Sequence, residues 1–139
     1  MGIEENKAIN QRLFEEIWNK GNLALIDEVI AEDFIFHRSD SSTGRGPEWY
    51  KGAYHFLKTA FPDLHITIED VIAEGDKVMT RTTWQGTHKG EYMGLAPTGK
   101  QFSVTEINID RYKNGKIIEG WGGVDRFDLL QQLDGIPTN

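Results

Sequence analysis

The sequence contains no cysteine, which excludes disulfide bonds, a thiol nucleophile and any cysteine-based metal site. It also has no apolar run of the about 18 residues that a membrane-spanning helix needs. The first residues carry no basic start followed by an apolar stretch, so we expect no secretion signal and a cytoplasmic location. Basic residues are few: 15 Lys and Arg against 22 Asp and Glu give a net charge of −7. That balance disfavours nucleic acid and anionic membrane surfaces as partners.

The 139 residues, 38% of them hydrophobic, predict one domain spanning residues 1–139 with a substantial core. Apolar residues at helical spacing predict a helix near residues 4–19. A second short helix follows, for which Asn22 is the candidate cap. A third begins at Pro47 and ends before Pro62. Between the second and third helices, Phe34–His37 is a short strand candidate.

The second half of the chain changes to the alternating pattern of strands. Residues 64–74, 77–87, 101–112 and 116–124 are rich in β-branched and aromatic side chains, which favours strands. Gly75-Asp76 and Asn114-Gly115 lie between two pairs of these runs and predict tight hairpins. Asp125 is a candidate cap for a last helix. Helices followed by a meandering sheet define an α+β fold.

Several motifs resemble the SnoaL-like polyketide cyclases, also called ester cyclases, of the NTF2-like superfamily. The resemblance covers nearly the whole chain. The motifs that carry it are Phe61-Pro62-Asp63-Leu64, the stretch 86–94 (GTHKGEYMG), Pro97-Thr98-Gly99-Lys100, the stretch 111–119 (RYKNGKIIE), Trp121, Asp125 and Gln132-Leu133.

The resemblance implies a cone, in which a curved antiparallel sheet packs on N-terminal helices around an internal pocket. It also implies a homodimer formed through the outer sheet face, and an aldol-type reaction without metal or cofactor. The family motif on the last strand, Glu-His-Trp-Asp, supplies an acid/base Asp and a nearby His. Here the motif reads Glu119-Gly120-Trp121-Gly122, and another family His falls at Asn108. The family's usual catalytic groups are therefore replaced.

A different carboxylate can take the place of the missing Asp. If Gly120 and Gly122 face the pocket, the two-residue period of a strand puts Ile118 inward as well. The same reasoning puts Glu106 and Asn108 on the inner face of the neighbouring strand. A desolvated Glu106 would have a raised pKa and could act as general base, with Asn108 donating to an enolate oxygen. The alternative is that Glu106 is a structural partner of an Arg or a backbone group.

Two of the four histidines are further candidates. His37 ends a strand where the family often has a pocket-lining His, so it is either a catalytic proton shuttle or a hydrogen-bonded residue of the rim. His88 precedes the glycine-rich connection 88–100 and either contacts ligand or orders that loop. The histidines form no metal-binding motif, so we expect no metal site.

The remaining candidates would bind the ligand. Tyr92 and Met93 lie on a glycine-flanked loop and could form a gate over the pocket. Trp84 offers an aromatic wall, although core packing explains it equally well. The inward positions of the last strand, Gly120, Gly122 and Ile118, should leave room for a bulky molecule.

These observations give two hypotheses of different classes. The first is a cofactor-independent enzyme of the cyclase or isomerase type, which abstracts a proton α to a carbonyl in a small hydrophobic ester or ketone. The second is a pocket protein without catalysis that binds such a ligand or mediates association. The inward carboxylate at Glu106 favours the enzyme, and the glycines at 120 and 122 favour the binding protein.

Overall fold

The computed structural model describes residues 2–134 and begins with the predicted helices. Helix α1, Ile3–Arg12, continues into a wider π-helical segment, Leu13–Trp18. Helix α2 follows at Ala24–Val29. Asn22 does not cap it, because the residue before the helix is Leu23 and no side chain bonds the first turn. The helical periodicity is confirmed, whereas the π-helical geometry leaves no signature in an apolar pattern.

The π-helical segment carries much of the core that faces the sheet. Its four apolar side chains are buried, and Trp18 packs against Trp84 with ring centroids 5.2 Å apart. Burying side chains of this size stabilises a fold by roughly 1.5–3 kcal/mol each. The helix therefore presents its apolar face to the interior, as its sequence predicts.

A six-stranded sheet forms the other layer, in the order β2-β1-β6-β5-β4-β3. All neighbours pair antiparallel except β1 and β6, which are parallel. The sheet is thus antiparallel as predicted, apart from the pair formed by the strand nearest the N-terminus. The strands are β1 Ile30–Arg38, β2 Thr43–Arg45, β3 His65–Glu74, β4 Lys77–Thr87, β5 Gln101–Lys113 and β6 Lys116–Gly122.

Both predicted hairpins are present. Asn114 and Gly115 have φ values of 52° and 77°, the left-handed conformation that a tight hairpin turn between β5 and β6 requires. Register shifts interrupt three strand pairs, between Ile68 and Asp70, between Arg111 and Tyr112, and between Ile30 and Ile35. Such bulges bend strands, which helps the sheet to curve around the helices.

Two more helices pack against the sheet, the first on β1 and the second on β5. Helix α3, Gly46–Ala60, carries Pro47 in its first turn and packs against β1. Helix α4, Arg126–Gln132, is capped as predicted by Asp125, whose side chain accepts from the backbone N–H of Asp128 at 3.0 Å. Within residues 2–134, no helix is both long and apolar enough to cross a membrane.

Candidate active site

A cavity of about 440 Å³ lies between the helices and the concave face of the sheet. Most of its wall is aromatic or aliphatic, and the aromatic rings contact one another: Phe36 stacks on Trp49 with centroids 5.4 Å apart. A cavity of this size and lining suits a flat apolar ligand. The apolar wall consists of Leu13, Phe14, Trp18, Ile30, Phe34, Phe36, Trp49, Tyr50, Ala53, Phe56, Leu57, Trp84, Tyr92, Ile117 and Val124.

A polar strip crosses this apolar wall on β5. Glu106, Asn108 and Asp110 all line the cavity, and each is buried. They project inward because strand β5 alternates strictly between buried and exposed residues from Gln101 to Asp110. The predicted inward placement of Glu106 and Asn108 is correct. Asp110 belongs to the same inner row and has to be added to the site.

Glu106 is a desolvated carboxyl with one hydrogen bond from the backbone. Its side chain is 7% exposed, and its Oε2 accepts from the N–H of Gly123 at 3.1 Å. Burial raises the pKa of Glu106 to about 7, and the charge of Asp110 raises it further in the same direction. The group therefore changes protonation near neutral pH, as a general base at that pH should.

Asp110 is a second titrating carboxyl in the same wall. Burial raises the pKa of Asp110 to about 7, and the amides of Asn10 and Asn108 partly oppose that rise. Asn108 Nδ2 donates to Asp110 Oδ2 at 3.1 Å. In the described part of the chain, Asn108 Oδ1 is buried without a hydrogen-bond partner. The amide therefore has bonding capacity left for a ligand.

The two glycines of β6 do not leave free space, which corrects the prediction of an enlarged pocket. A Cβ at position 120 would lie 2.7 Å from Asp110 Oδ1 and 3.1 Å from a Phe36 ring carbon. At position 122 it would lie 2.7 Å from Asn108 Cβ, on a backbone with φ of 152°. Both positions lie on the inner side of β6 beside Asp110 and Asn108, but neither glycine lines the cavity, so their predicted contact with ligand is wrong. Their missing side chains make room for the polar strip rather than for ligand.

The inward placement of Ile118 is wrong by one residue. Arg111 pairs with Glu119 and Tyr112 with Ile117, so Ile118 is the extra residue of a β-bulge. Ile117 is buried and lines the cavity, whereas Ile118 is only partly buried and does not. One inserted residue reverses the facing of every position beyond it.

His37 lies on the opposite side of β1 from the cavity-lining Phe36. Its Nε2 contacts Glu119 Oε2 at 2.8 Å, and its ring stacks on Trp121 with centroids 5.4 Å apart. Glu119 also accepts from Arg111 at 2.9 Å. His37 thus belongs to an ion-pair cluster on the outer sheet face, and nothing in its position supports a catalytic role. Trp121 points outward as well.

The other predicted ligand contacts lie on β4 and on the loop that follows it, and only some of them line the cavity. Tyr92 and Trp84 line the cavity and are buried. Met93 is 49% exposed and lies outside the lining, so only Tyr92 of the two predicted gate residues reaches the cavity. His88 is fully buried outside the cavity, where Nδ1 accepts from the N–H of Thr98 at 3.2 Å. His88 therefore orders the loop, which is the alternative reading of that residue.

Several residues of the cavity are not among the candidates predicted from the sequence. Arg38, at the end of β1, and Arg126, at the start of α4, both line it. Trp49 and Phe56, both on α3, form part of the wall, and Phe56 is 50% exposed. Tyr50 accepts from Trp18 Nε1 at 2.8 Å, and its own O–H remains free to donate.

Metal ligands are not grouped anywhere in residues 2–134: no three His, Asp or Glu side chains come together in a way that could hold an ion. The acidic groups of the cavity are an alternating row on one strand, interrupted by an amide. Such a row is suited to proton transfer and hydrogen bonding.

Comparisons with known proteins agree with the fold. Residues 8–133 match the family model described as SnoaL-like polyketide cyclase. The chain belongs to this family and has its NTF2-like fold.

Individual relatives are similar at moderate identity. The aklanonic acid methyl ester cyclase AcmA of Streptomyces galilaeus is 30% identical over 109 residues, covering 76% of this chain and 75% of AcmA. The structure of IdmH from Streptomyces antibioticus superposes with a TM-score of 0.80 at 34% identity, covering 94% of this chain and 99% of IdmH. A SnoaL-like protein of Jannaschia sp. CCS1 has a TM-score of 0.88 over 96% of this chain and 94% of its own, and at 24% identity it shows the fold alone.

Proposed function

We propose that this protein is a cofactor-independent enzyme that abstracts a proton α to a carbonyl in a small hydrophobic ester or ketone and closes a ring by an aldol-type step. The observation that carries the proposal is Glu106: a carboxyl with a pKa near 7, buried in the wall of an apolar cavity. Its structural bond to Gly123 uses only one oxygen, Oε2, and no bond to Oε1 is seen within residues 2–134.

The proposed reaction begins when ionised Glu106 removes the α-proton, and the electron pair of the C–H bond passes into an enolate. The enolate carbon then attacks a second carbonyl of the same molecule, forming a carbon–carbon bond and an alkoxide. The proton held by Glu106 returns to the alkoxide oxygen. The substrate is rearranged without gain or loss of atoms or electrons, so the chemistry needs no redox partner.

The neighbours of Glu106 supply donors for the developing negative charge. Asn108 Nδ2 donates one hydrogen to Asp110 and has a second for a ligand oxygen. Asp110, with its pKa near 7, is partly protonated at neutral pH and can donate as well. Burial raises the pKa of Tyr50, so its hydroxyl stays protonated. Donors fixed in an apolar site stabilise an oxyanion more than water does.

The second candidate is a pocket protein that binds the same class of ligand without turnover. The replacement of the family's His and Asp by Gly120 and Gly122 favours it. In that case Glu106 and Asp110 would serve only to hold polar groups of a ligand. The two candidates differ in whether the ligand's α-hydrogen exchanges with solvent.

The test is hydrogen exchange at the α-carbon of an aryl β-keto ester in D₂O, followed by NMR. We expect the wild-type protein to accelerate exchange, and Glu106→Gln to remove about 10²–10⁴-fold of that acceleration. The matched control is Glu74→Gln, which makes the same change at an exposed position at the end of β3. Ligand binding without accelerated exchange would refute the enzyme and leave the binding protein.

A second copy of the chain is the proposed partner, packed on the outer sheet face. The strand register aligns Ile72, Met79, Ile109 and Trp121 in one row across β3, β4, β5 and β6. Ile72 and Ile109 are 61% and 38% exposed. Exposed apolar rows on a sheet are typical of interaction surfaces. The cytoplasmic location remains a prediction of the sequence.

A further inference from the structure

The cavity wall includes an arginine that has no carboxylate partner in the described part of the chain. Arg38, the last residue of β1, lies with its Cζ 5.6 Å from the Trp49 ring centroid and 6.0 Å from that of Phe36, two rings of the cavity wall. The side chain is partly buried and lines the cavity. Among residues 2–134, no carboxylate lies within ion-pair distance of its guanidinium. Partly buried charges are costly unless an opposite charge meets them.

A second cation stands beside the first. Arg126, at the start of α4, lines the same cavity. Burial lowers the pKa of Arg38, the charge of Arg126 lowers it further, and the charges of Asp40 and Glu106 oppose that change. Arg126 has one carboxylate neighbour, Asp40, at 3.4 Å. Arg126 therefore has a carboxylate partner, whereas Arg38 has none within ion-pair distance among the described residues. An anionic group on a ligand would supply the partner that Arg38 lacks.

The charges inside the cavity have the opposite sign. Glu106 and Asp110 lie in the wall on β5, and they would repel a negatively charged group that entered first. A ligand with one anionic end would therefore enter with its apolar body inward and its charge at the arginines. This orientation brings the uncharged carbonyl part to Glu106.

We propose that Arg38, assisted by Arg126, binds a carboxylate on the ligand, so that the pocket takes a planar apolar compound as the free acid in preference to its neutral ester. The inference rests on the proposed function for the identity of the cavity as the active site. A carboxylate suits this position because its negative charge would pair with Arg38 and its two oxygens fit the guanidinium fork. The cyclase AcmA, by contrast, is named for a methyl ester.

The experiment compares two probes that differ only in this charge, anthraquinone-2-carboxylate and its methyl ester. Binding to the full chain is measured at pH 7.5 by quenching of tryptophan fluorescence, since Trp18, Trp49 and Trp84 line the cavity. We expect the acid to bind at least tenfold more tightly than the ester. Arg38→Gln should weaken binding of the acid by about tenfold to hundredfold and change the ester by less than about twofold.

Two further variants test whether binding of the acid needs the planar guanidinium group of Arg38 or only a positive charge. Arg38→Lys keeps the charge but loses the planar fork, and it should recover only part of the affinity for the acid. Arg45→Gln removes one positive charge from the exposed strand β2, outside the cavity lining, and should leave both affinities unchanged. Circular dichroism of each variant verifies that the fold is retained.

Three results would overturn the inference: equal affinity for the two probes, equal weakening of both by Arg38→Gln, or binding of neither probe. An equal loss on Arg45→Gln would also overturn it, because the effect would then be non-specific attraction. Failure of the proposed function looks different: the acid preference and its loss in Arg38→Gln would persist while exchange at the α-carbon is absent. The two proposals are therefore decided separately.

Discussion

Glu106 should destabilise the protein at the pH at which it works, and Glu106→Gln should relieve that cost. A carboxyl with a raised pKa in the fold holds its proton more tightly there than in the unfolded chain. The unfolded state therefore releases the proton first, and stability falls as pH rises from about 4.5 to about 7. Below that window the carboxyl is neutral in both states and costs nothing. Above it, the full cost is present.

The magnitude follows from the pKa of Glu106. A value of about 7 in the fold against the ordinary 4.5 corresponds to about 3 kcal/mol, because each pKa unit is worth about 1.4 kcal/mol. Glutamine cannot ionise, and its Oε1 can still accept from the N–H of Gly123. Glu106→Gln should therefore be more stable than the wild type by about 3 kcal/mol at pH 8 and nearly equal to it at pH 4.5.

The assay is urea unfolding at a series of pH values between 4.5 and 8, with thermal melting as a second readout. For a chain of this length, about 3 kcal/mol corresponds to a rise in Tm of roughly 6–12 °C at pH 8. Glu74→Gln, at an exposed site, should follow the wild type at every pH. A stability difference between Glu106→Gln and wild type that is constant with pH would refute the reasoning. So would a loss of stability at pH 8.

Two other changes test the packing of the site and the outer face. Gly120→Ala puts a Cβ 2.7 Å from Asp110 Oδ1, so it should displace that carboxyl. We expect a loss of about 1–3 kcal/mol in the free energy of unfolding, measured with urea, and slower α-carbon exchange. Full activity and stability would show that Asp110 moves away freely. Ile109→Lys puts a charge into the apolar row of the outer face. It should convert a dimer to a monomer, as measured by light scattering, and leave exchange activity unchanged. An unchanged mass would mean that this face is not the interface.

The burial of Glu106 explains both its expected cost in stability and its suitability as a general base. The apolar wall that gives Glu106 a pKa near 7 is also what makes its charge costly. The same holds for Asp110 in the same strip. Active sites are commonly arranged in this way, and removing the buried charge then trades activity for stability.

Features that depend on neighbours along the chain were predictable from the sequence. Strand β4 has the predicted bounds, 77–87, and both hairpins fall at the predicted glycine turns. The α+β class follows from helical spacing in the first third and alternation in the second half. Alternation also placed Glu106 and Asn108 on one face, because the two-residue period of a strand is a local property.

Features that depend on contacts between distant segments needed the tertiary structure. The bulge at Ile118 comes from the pairing of β6 with β5. Because of it, Ile117 lines the cavity in place of Ile118, the residue that alternation had predicted. The inner side of Gly120 is occupied by a carboxyl from another strand, so its missing side chain left no room for ligand. His37 lies on the far side of β1 because its neighbour Phe36 took the inner face.

The charge of the protein was predictable from its composition, but the positions of the charges around the cavity were not. The composition fixed the net charge of −7 and the absence of cysteine. Two arginines, one from the end of β1 and one from the start of α4, line the same cavity as Glu106 and Asp110. This arrangement is a property of the assembled fold alone. Coulomb interactions act through space, so residues 88 positions apart in the chain can set the charge of one opening, which no local pattern encodes.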